Sequence, residues 1–216
     1  MAEVASFRLV TLLHAMRLLL FSDIHGDWKA LENLMNMEAD GYFACGDLTS
    51  WGRGLDAAGA VLRRRGEKVY VLPGNHESES DIDRMCRDYG LNNLHGKVVE
   101  IGGWKLAGLG YSNPTPFDTP GEYSEQELAQ RLQTFAGLTP LILVCHCPPY
   151  GTELDRVGSR HLGSEAIAAF LRENQPKWFF CGHIHETEGV ATRIGRTTGI
   201  NAGKRGYLLE LDKIEL

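Results

Sequence analysis

Carboxylate, amide and imidazole side chains recur at the ends of short apolar runs along this chain. Five of the eight histidines occupy such positions, which is too many to be a coincidence of loop composition. The side chains concerned belong to Asp23, His25, Asp47, Asn75, His76, His146, His183 and His185. Oxygen donors beside imidazole nitrogens suit a borderline or hard divalent metal ion. The pattern therefore predicts a metal centre assembled from several separate segments.

The apolar runs themselves predict the elements that would position these side chains. Buried strands are predicted at 18–21, 42–45, 69–72, 141–145 and 178–181. Helical patterns at 28–39, 55–65 and 81–89 alternate with the first three strands, and this rhythm favours a parallel sheet. Ligands of such sheets bind at the carboxyl ends of the strands. Strand alternation would place Asp23 and His25 on the same side of the first strand end.

The second half of the chain follows a different rhythm. Two strand patterns at 97–101 and 104–109 flank a pair of glycines, which predicts a hairpin. A proline-rich loop at 111–123 is longer than most connections, so a functional loop is expected there. Residues 189–216 are predicted to form short antiparallel strands.

Composition limits the kinds of partner that this chain could bind. The 216 residues fit one domain with a full core, and no internal linker or repeat divides them. The net charge of −6, with a single short basic run at Arg63–Arg65, disfavours non-specific binding to nucleic acid or acidic lipid. No membrane association is expected, because the partly apolar residues 4–16 are too short to span a bilayer.

Two features concern the cell compartment and the start of the chain. The five cysteines are odd in number and lack scaffold-like spacing, so we expect reduced thiols in a cytoplasmic protein. Met16 directly precedes the first predicted strand. We therefore expect residues 1–15 to be a non-native or disordered extension ahead of a single domain.

Taken in order, five motifs resemble the calcineurin-like metallophosphoesterase superfamily. They are Asp23-x-His25, Gly46-Asp47, Gly74-Asn75-His76-Glu77, His146-x-Pro148-Pro149 and Gly182-His183-x-His185. The compact length and the Pro-Pro-Tyr-Gly stretch after His146 are similar to its small single-domain phosphodiesterase branch. The resemblance implies an α/β fold, a two-sheet β-sandwich flanked by helices with a dinuclear metal site at one edge.

The resemblance also implies a role for each matched residue. Asp23, His25 and His185 would hold one metal ion, Asn75, His146 and His183 the other, and Asp47 would bridge the two. A hydroxide bridging the metals would attack phosphorus in line with the leaving oxygen. His76 would face the substrate and protonate the leaving group or stabilise its charge. The two divalent ions would be manganese or iron, with zinc or magnesium as alternatives that the ligand types do not separate.

The sequence departs from the commoner pattern of that superfamily in three places, one of which is Cys45, where glycine is frequent. Ser50 stands where relatives often carry an aspartate that orients the catalytic histidine, so the partner of His76 is left open. Cys147 follows the ligand His146, and a thiol ligand or redox-sensitive site there is an alternative to simple packing. Glu77 is interpreted as a helix cap or a supporting acid.

The function expected from these observations is metal-dependent hydrolysis of a phosphodiester. A phosphomonoesterase, including a protein phosphatase, is the alternative on the same site, and a binding scaffold without chemistry is the other. The partner would be a phosphate-ester substrate, with a nucleotide as one candidate. Asn75 would contact the substrate, and Arg160 and His161 in the loop after Pro149 are further candidates for substrate binding. The oligomeric state is left open.

Overall fold

The predicted apolar strands form the centres of two β-sheets in the computed structural model, which describes residues 15–214. The strands are β1 (Met16–Phe21), β2 (Gly41–Ala44), β3 (Val69–Val71), β4 (Asn92–Asn93), β5 (Lys97–Ile101), β6 (Trp104–Leu109), β7 (Leu141–Cys145), β8 (Arg156–Val157), β9 (Arg160–His161), β10 (Trp178–Cys181), β11 (Ala191–Ile194), β12 (Thr197–Asn201) and β13 (Tyr207–Leu211). One sheet has the order β13-β1-β2-β3-β4 and the other β11-β12-β10-β7-β6-β5. The expected start at Met16 concerns residues 1–15, of which 1–14 lie outside the described residues.

Within residues 15–214, five α-helices cover the outer faces of the two sheets. They are α1 (Trp28–Asn36), α2 (Leu55–Leu62), α3 (Glu79–Tyr89), α4 (Glu125–Leu132) and α5 (Glu165–Asn174). The first two connect the parallel strands β1, β2 and β3, and α3 follows β3, as the alternating pattern predicts. Ser124 caps α4 through a reciprocal capping box with Glu127. The predicted two-sheet α/β sandwich flanked by helices is therefore confirmed.

Alternate residues of β1 show how the sandwich buries its core. Leu19 and Phe21 pack with the helices of the first sheet, whereas Leu18 and Leu20 pack between the two sheets. A third apolar cluster lies between the second sheet and helices α4 and α5. Each sheet is buried on both faces, which explains why its central strands are continuously apolar rather than alternating.

The structure adds to or corrects the expected secondary structure in four details. Strand β12 pairs parallel with β10, although it also forms the expected antiparallel hairpin with β11. Strand β13 leaves that sheet and pairs with β1 of the other one. The short β4 has no apolar pattern, so propensity could not reveal it. Helix α1 ends at Asn36, before the expected 39, because Met37 is extended.

Candidate metal centre

All seven side chains that the sequence marks as metal ligands converge at one edge of the sandwich. They follow the carboxyl ends of β1, β2 and β3 in the first sheet and of β7 and β10 in the second. The metal-capable groups found among residues 15–214 include Asp23 with His25 and His185, and Asp47 with His146 and His183. The site is therefore built where the two sheets meet.

The first half of the site combines one carboxylate with two imidazoles. The Nε2 atoms of His25 and His185 lie 3.1 Å apart. The Oδ1 atom of Asp23 lies 3.5 Å from Nε2 of His185 and 3.9 Å from Nε2 of His25. Ser50 contacts Nδ1 of His25 at 3.1 Å, which leaves Nε2 of that ring directed at the carboxylate. Three donor atoms thus face a common point.

The second half combines an amide oxygen with two further imidazoles. Oδ1 of Asn75 lies 3.0 Å from Nε2 of His146 and 2.8 Å from Nδ1 of His183. Nδ1 of His146 lies 2.9 Å from the carbonyl oxygen of Cys45, to which it can donate its proton. A histidine that donates from one nitrogen to a carbonyl presents the other as a ligand.

A single carboxylate oxygen joins the two halves. Oδ2 of Asp47 lies 3.6 Å from Nε2 of His25 and 3.3 Å from Nε2 of His146. Metal–ligand bonds of about 2.0–2.2 Å at right angles put neighbouring ligand atoms about 3 Å apart. The separations in both halves approach that value, and the donors are oxygen and imidazole nitrogen throughout. The residues therefore fit a pair of divalent cations that share Asp47.

The buried Asp47 carboxylate favours a positive charge on the imidazole beside it, but not every imidazole of the site responds in this way. Burial would raise the pKa of Asp47, but the neighbouring His146 outweighs it and holds the pKa well below the usual range. Burial would lower the pKa of His146, but the Asp47 carboxylate outweighs it and raises the pKa to about 9. His183 shows the opposite result, because burial and the nearby His146 lower its pKa to about 4.

The backbone that directs these side chains is not extended, as strand alternation supposed. Strand β1 ends at Phe21, and φ is +56° at Asp23 and +46° at His25. Left-handed conformations also occur at Asp47 and His183, with φ of +53° and +69°. Such conformations cost of order 1–3 kcal/mol each and cluster at functional sites. The side chains of Asp23 and His25 still lie close together, but the turns after β1 place them there rather than the alternation of an extended strand.

Glycines beside the ligands allow the segments to approach closely. A Cβ atom at Gly74 would overlap Oδ1 of Asp47, and one at Gly182 would overlap Oδ2 of Asp23. Either contact would displace a carboxylate of the candidate site. The first positions of the Gly-Asn-His and Gly-His-x-His motifs must therefore be glycine, because any larger residue would overlap a neighbouring carboxylate.

Glu77 supports the turn that carries Asp47. Its fully buried carboxylate accepts hydrogen bonds from the backbone N–H groups of Asp47, Thr49 and Gly74 and from the Thr49 hydroxyl, over 2.8–3.1 Å. Burial, with a further contribution from Asp47, raises its pKa to about 7. The cap of α3 is Ser78, so of the two roles expected for Glu77 the structure shows the supporting one.

Replacing Glu77 with alanine is expected to lower the free energy of unfolding by at least about 3 kcal/mol. The substitution leaves four donors buried without their acceptor, each of which costs roughly 1–3 kcal/mol. Chemical denaturation of the metal-free protein measures the loss. Glu79→Ala, an exposed change two residues further on, is the matched control and should stay within about 1 kcal/mol of the parent. An equally small loss for Glu77→Ala would contradict the supporting role.

His76 is held by the backbone of Trp51 rather than by a carboxylate. The Trp51 N–H lies 3.3 Å from Nδ1 of His76, and the two rings meet edge to face at 5.5 Å. A ring that accepts at Nδ1 carries its proton on Nε2. Ser50, which stands at the position of the usual orienting aspartate, contacts His25 instead. The partner that the sequence left open is therefore a peptide N–H.

A cavity of about 810 Å³ opens above the centre. His76 and Asn75 line it, together with the segment 113–117 of the long proline-rich loop. Arg160 and His161 line the same cavity from the ribbon formed by β8 and β9. Nδ1 of His161 lies 2.7 Å from the buried carboxylate of Asp155, a support for which the sequence holds no signal.

The thiol of Cys147 is directed away from the predicted ligands. Its Sγ donates to Oδ1 of Asn113 at 3.1 Å, and burial raises its pKa to about 12. Within the part of the chain that the structure describes, none of the metal-capable groups includes a cysteine. The contacts favour packing and a hydrogen bond to the loop as its role.

The fold and the site define an α/β sandwich with a candidate dinuclear metal centre. The family model of the calcineurin-like phosphoesterases matches residues 16–187, and the chain belongs to that family. The family depends on two metal ions and acts on phosphate esters. Among residues 15–214, no helix is both long and apolar enough to cross a bilayer.

Sequence and structure relatives agree with this membership. The uncharacterised protein MJ1162 of Methanocaldococcus jannaschii is 32% identical over 205 residues, which cover 90% of this chain and 91% of that protein. The crystal structure of TT1561 from Thermus thermophilus has a TM-score of 0.71 at 18% identity, over 91% of this chain and 99% of that one. A dimetal phosphatase from Danio rerio has a TM-score of 0.62 at 15% identity, over 86% of each chain. The last two likenesses concern the fold.

Proposed function

We propose that this chain is a dinuclear-metal-dependent phosphodiesterase. The observation that carries the proposal is the pair of donor sets sharing Asp47 at the floor of a large cavity. Asp23, His25 and His185 would hold one cation, and Asn75, His146 and His183 the other. Two bound cations supply Lewis acidity toward phosphoryl oxygens and a lowered pKa for water, the chemistry that phosphoester hydrolysis requires.

His76 is proposed to act on the leaving group. Because Nδ1 accepts the Trp51 N–H, the proton of the neutral ring is on Nε2, in the wall of the cavity. From there Nε2 can donate a hydrogen bond to the oxygen that departs from phosphorus and stabilise the negative charge that develops on it. Loss of one such donor typically costs about 10²–10³-fold in kcat.

A diester is favoured over a monoester by the apolar wall of the cavity. Seven large apolar side chains are exposed among residues 15–214, and three of them, Phe117, Tyr150 and Leu162, line this one cavity. Apolar groups gathered around a few polar ones are typical of a ligand site. A second ester group, such as an aryl or nucleoside group, would fill that wall. Arg160 and His161 are the proposed contacts for its polar parts.

The proposal is tested with two esters that share one leaving group. Metal-free protein is reconstituted with two equivalents of manganese and assayed on bis(p-nitrophenyl) phosphate and on p-nitrophenyl phosphate. We expect kcat/KM to be at least about tenfold higher for the diester, since burying its second ring contributes more than about 1.4 kcal/mol. Equal or better turnover of the monoester would instead make the chain a phosphomonoesterase. Absence of turnover with both metals bound would make it a scaffold.

The apolar wall is tested separately by Phe117→Ala. This change should raise KM for the diester and leave the monoester unaffected, because only the diester has a second ring to bury. Val98→Ala is the matched control, since Val98 is an exposed apolar residue on β5 outside the cavity lining. Equal effects of the two variants would mean that Phe117 does not bind the second ester group of the substrate.

A further inference from the structure

The amide of Asn75 is held at both ends, and only one of them belongs to the donor set. Its Oδ1 faces His146 and His183, while its Nδ2 donates to Oγ1 of Thr119 at 3.2 Å. Asn75 and Thr119 are both buried, with 3% and 7% of their surface exposed. Because an amide has two nearly isosteric ends, some contact must decide which end faces the cations.

The proton of the Thr119 hydroxyl is already used by a neighbouring carboxylate. Oε1 of Glu122 accepts from Oγ1 of Thr119 at 2.5 Å and from its backbone N–H at 3.0 Å. Thr115 donates to the same oxygen at 2.6 Å. Partial burial opposes ionisation of Glu122, but these donors outweigh it and hold its pKa below the usual range. The carboxylate is therefore an acceptor only, and Thr119 has a lone pair but no proton left for Asn75.

We propose that Thr119, with its hydroxyl committed to Glu122, is the positioning residue that turns the Asn75 oxygen toward the second cation. This inference rests on the proposed dinuclear site. A Thr119 oxygen that can only accept selects the amide NH₂ group. The reversed amide would place its oxygen against another oxygen and its NH₂ group against a cation. The chain Asn75–Thr119–Glu122 thus fixes a ligand without touching the metal.

The same loop joins the metal centre to the substrate cavity. The backbone N–H of Gly121 donates to the carbonyl oxygen of Asn75 at 2.9 Å, next to the Thr119 contact. Residues 113–117, a few positions earlier, line the cavity. The long loop at 111–123 therefore holds a ligand with one end and faces the substrate with the other.

Metal titration of the metal-free protein tests the positioning role without an activity readout. Thr119→Val keeps the shape of the side chain and removes the hydroxyl. We expect the second manganese equivalent to bind about 10–100-fold more weakly, as is typical when a partner of a ligand is lost, and the first to be unchanged. Thr119→Ser should restore wild-type affinity. Wild-type affinity in Thr119→Val would overturn the proposal.

Two further variants separate positioning from a general effect on the loop. Thr115→Val removes another hydroxyl from Glu122 without touching Asn75, so the second affinity should stay unchanged. Glu122→Gln lets an amide donate to Thr119 and frees the hydroxyl proton, so it should weaken the second site even if Thr119→Val does not fold. An equal loss in Thr115→Val, or none in Glu122→Gln, would contradict the chain of hydrogen bonds.

An Asn75→Asp background gives the sharpest control. A carboxylate has two equivalent oxygens and needs no selection of one end, so adding Thr119→Val should then change the second affinity less than about twofold. A full loss of about 10–100-fold in that background would assign Thr119 a packing role instead. If the wild-type protein itself binds fewer than two equivalents, the proposed dinuclear function fails, and the positioning role fails with it.

Discussion

His76→Ala is expected to lower kcat for phosphodiester hydrolysis about 10²–10³-fold while two manganese equivalents stay bound. The imidazole lies beside the two donor sets and is proposed to stabilise the charge on the leaving oxygen by a hydrogen bond from Nε2. It also lies close enough to His25 and Asp47 to serve as a ligand, which makes the metal count essential. Steady-state kinetics and elemental analysis of the same preparation measure both quantities. Loss of one metal equivalent would place His76 among the ligands.

The leaving group gives a second readout for the same variant. A good leaving group such as p-nitrophenolate needs little stabilisation of its charge, whereas an alkoxide needs much more. The loss in kcat for His76→Ala should therefore be larger for an alkyl ester than for an aryl ester. Equal losses for both esters would mean that His76 binds the phosphoryl group rather than the leaving oxygen.

The strand ends were predictable because their chemistry is local. An apolar run that stops at a metal-capable side chain is visible in a few consecutive residues, and five such runs imply one shared edge. The long loop at 111–123 was also marked by its own length and proline content. In the structure it lines the cavity, so a local signal again predicted a place in the site.

The contacts that orient the ligands could not be predicted in the same way. Asn75 and Thr119 are 44 positions apart, and Asp47 and Glu77 are 30 apart, with no pattern in the sequence to pair them. The left-handed turn at Asp23 was hidden for a different reason, since alternation assumes an extended chain and aspartate tolerates a positive φ. The sequence thus predicted which side chains come together but not the contacts that orient them.

Strand direction at the carboxyl-terminal end was also beyond local reasoning. Strand β12 is short and buried, and its residues fit a parallel or an antiparallel neighbour equally well. It lies between β10 and β11, parallel to the first and antiparallel to the second. The parallel pairing places β12 beside the strand that leads into the Gly-His-x-His turn, so it matters for the candidate site although no local pattern indicates it.

Asp47→Asn is expected to weaken both manganese sites at once and to reduce turnover below detection. The substitution keeps the size of the side chain. It also keeps an oxygen that can accept the backbone N–H of His76, which donates to Oδ1 of Asp47 at 3.0 Å in the parent protein. It removes the charge of a carboxylate whose Oδ2 faces both His25 and His146. Since loss of a ligand's partner alone costs about 10–100-fold, loss of the shared ligand should cost more than about 100-fold at each site.

Asp23→Asn is the matched control, because the imidazoles that its Oδ1 approaches, those of His25 and His185, belong to the first donor set. Asparagine keeps an oxygen to accept the backbone N–H of His183, a contact that Asp23 makes to the second set. This variant should weaken one equivalent and spare the other, so titration of the metal-free variants separates a shared ligand from a one-sided one. Thermal unfolding of the same metal-free samples checks that each variant is folded. If Asp47→Asn loses a single equivalent, Asp47 belongs to one half of the site. The two halves would then be independent sites rather than one dinuclear centre.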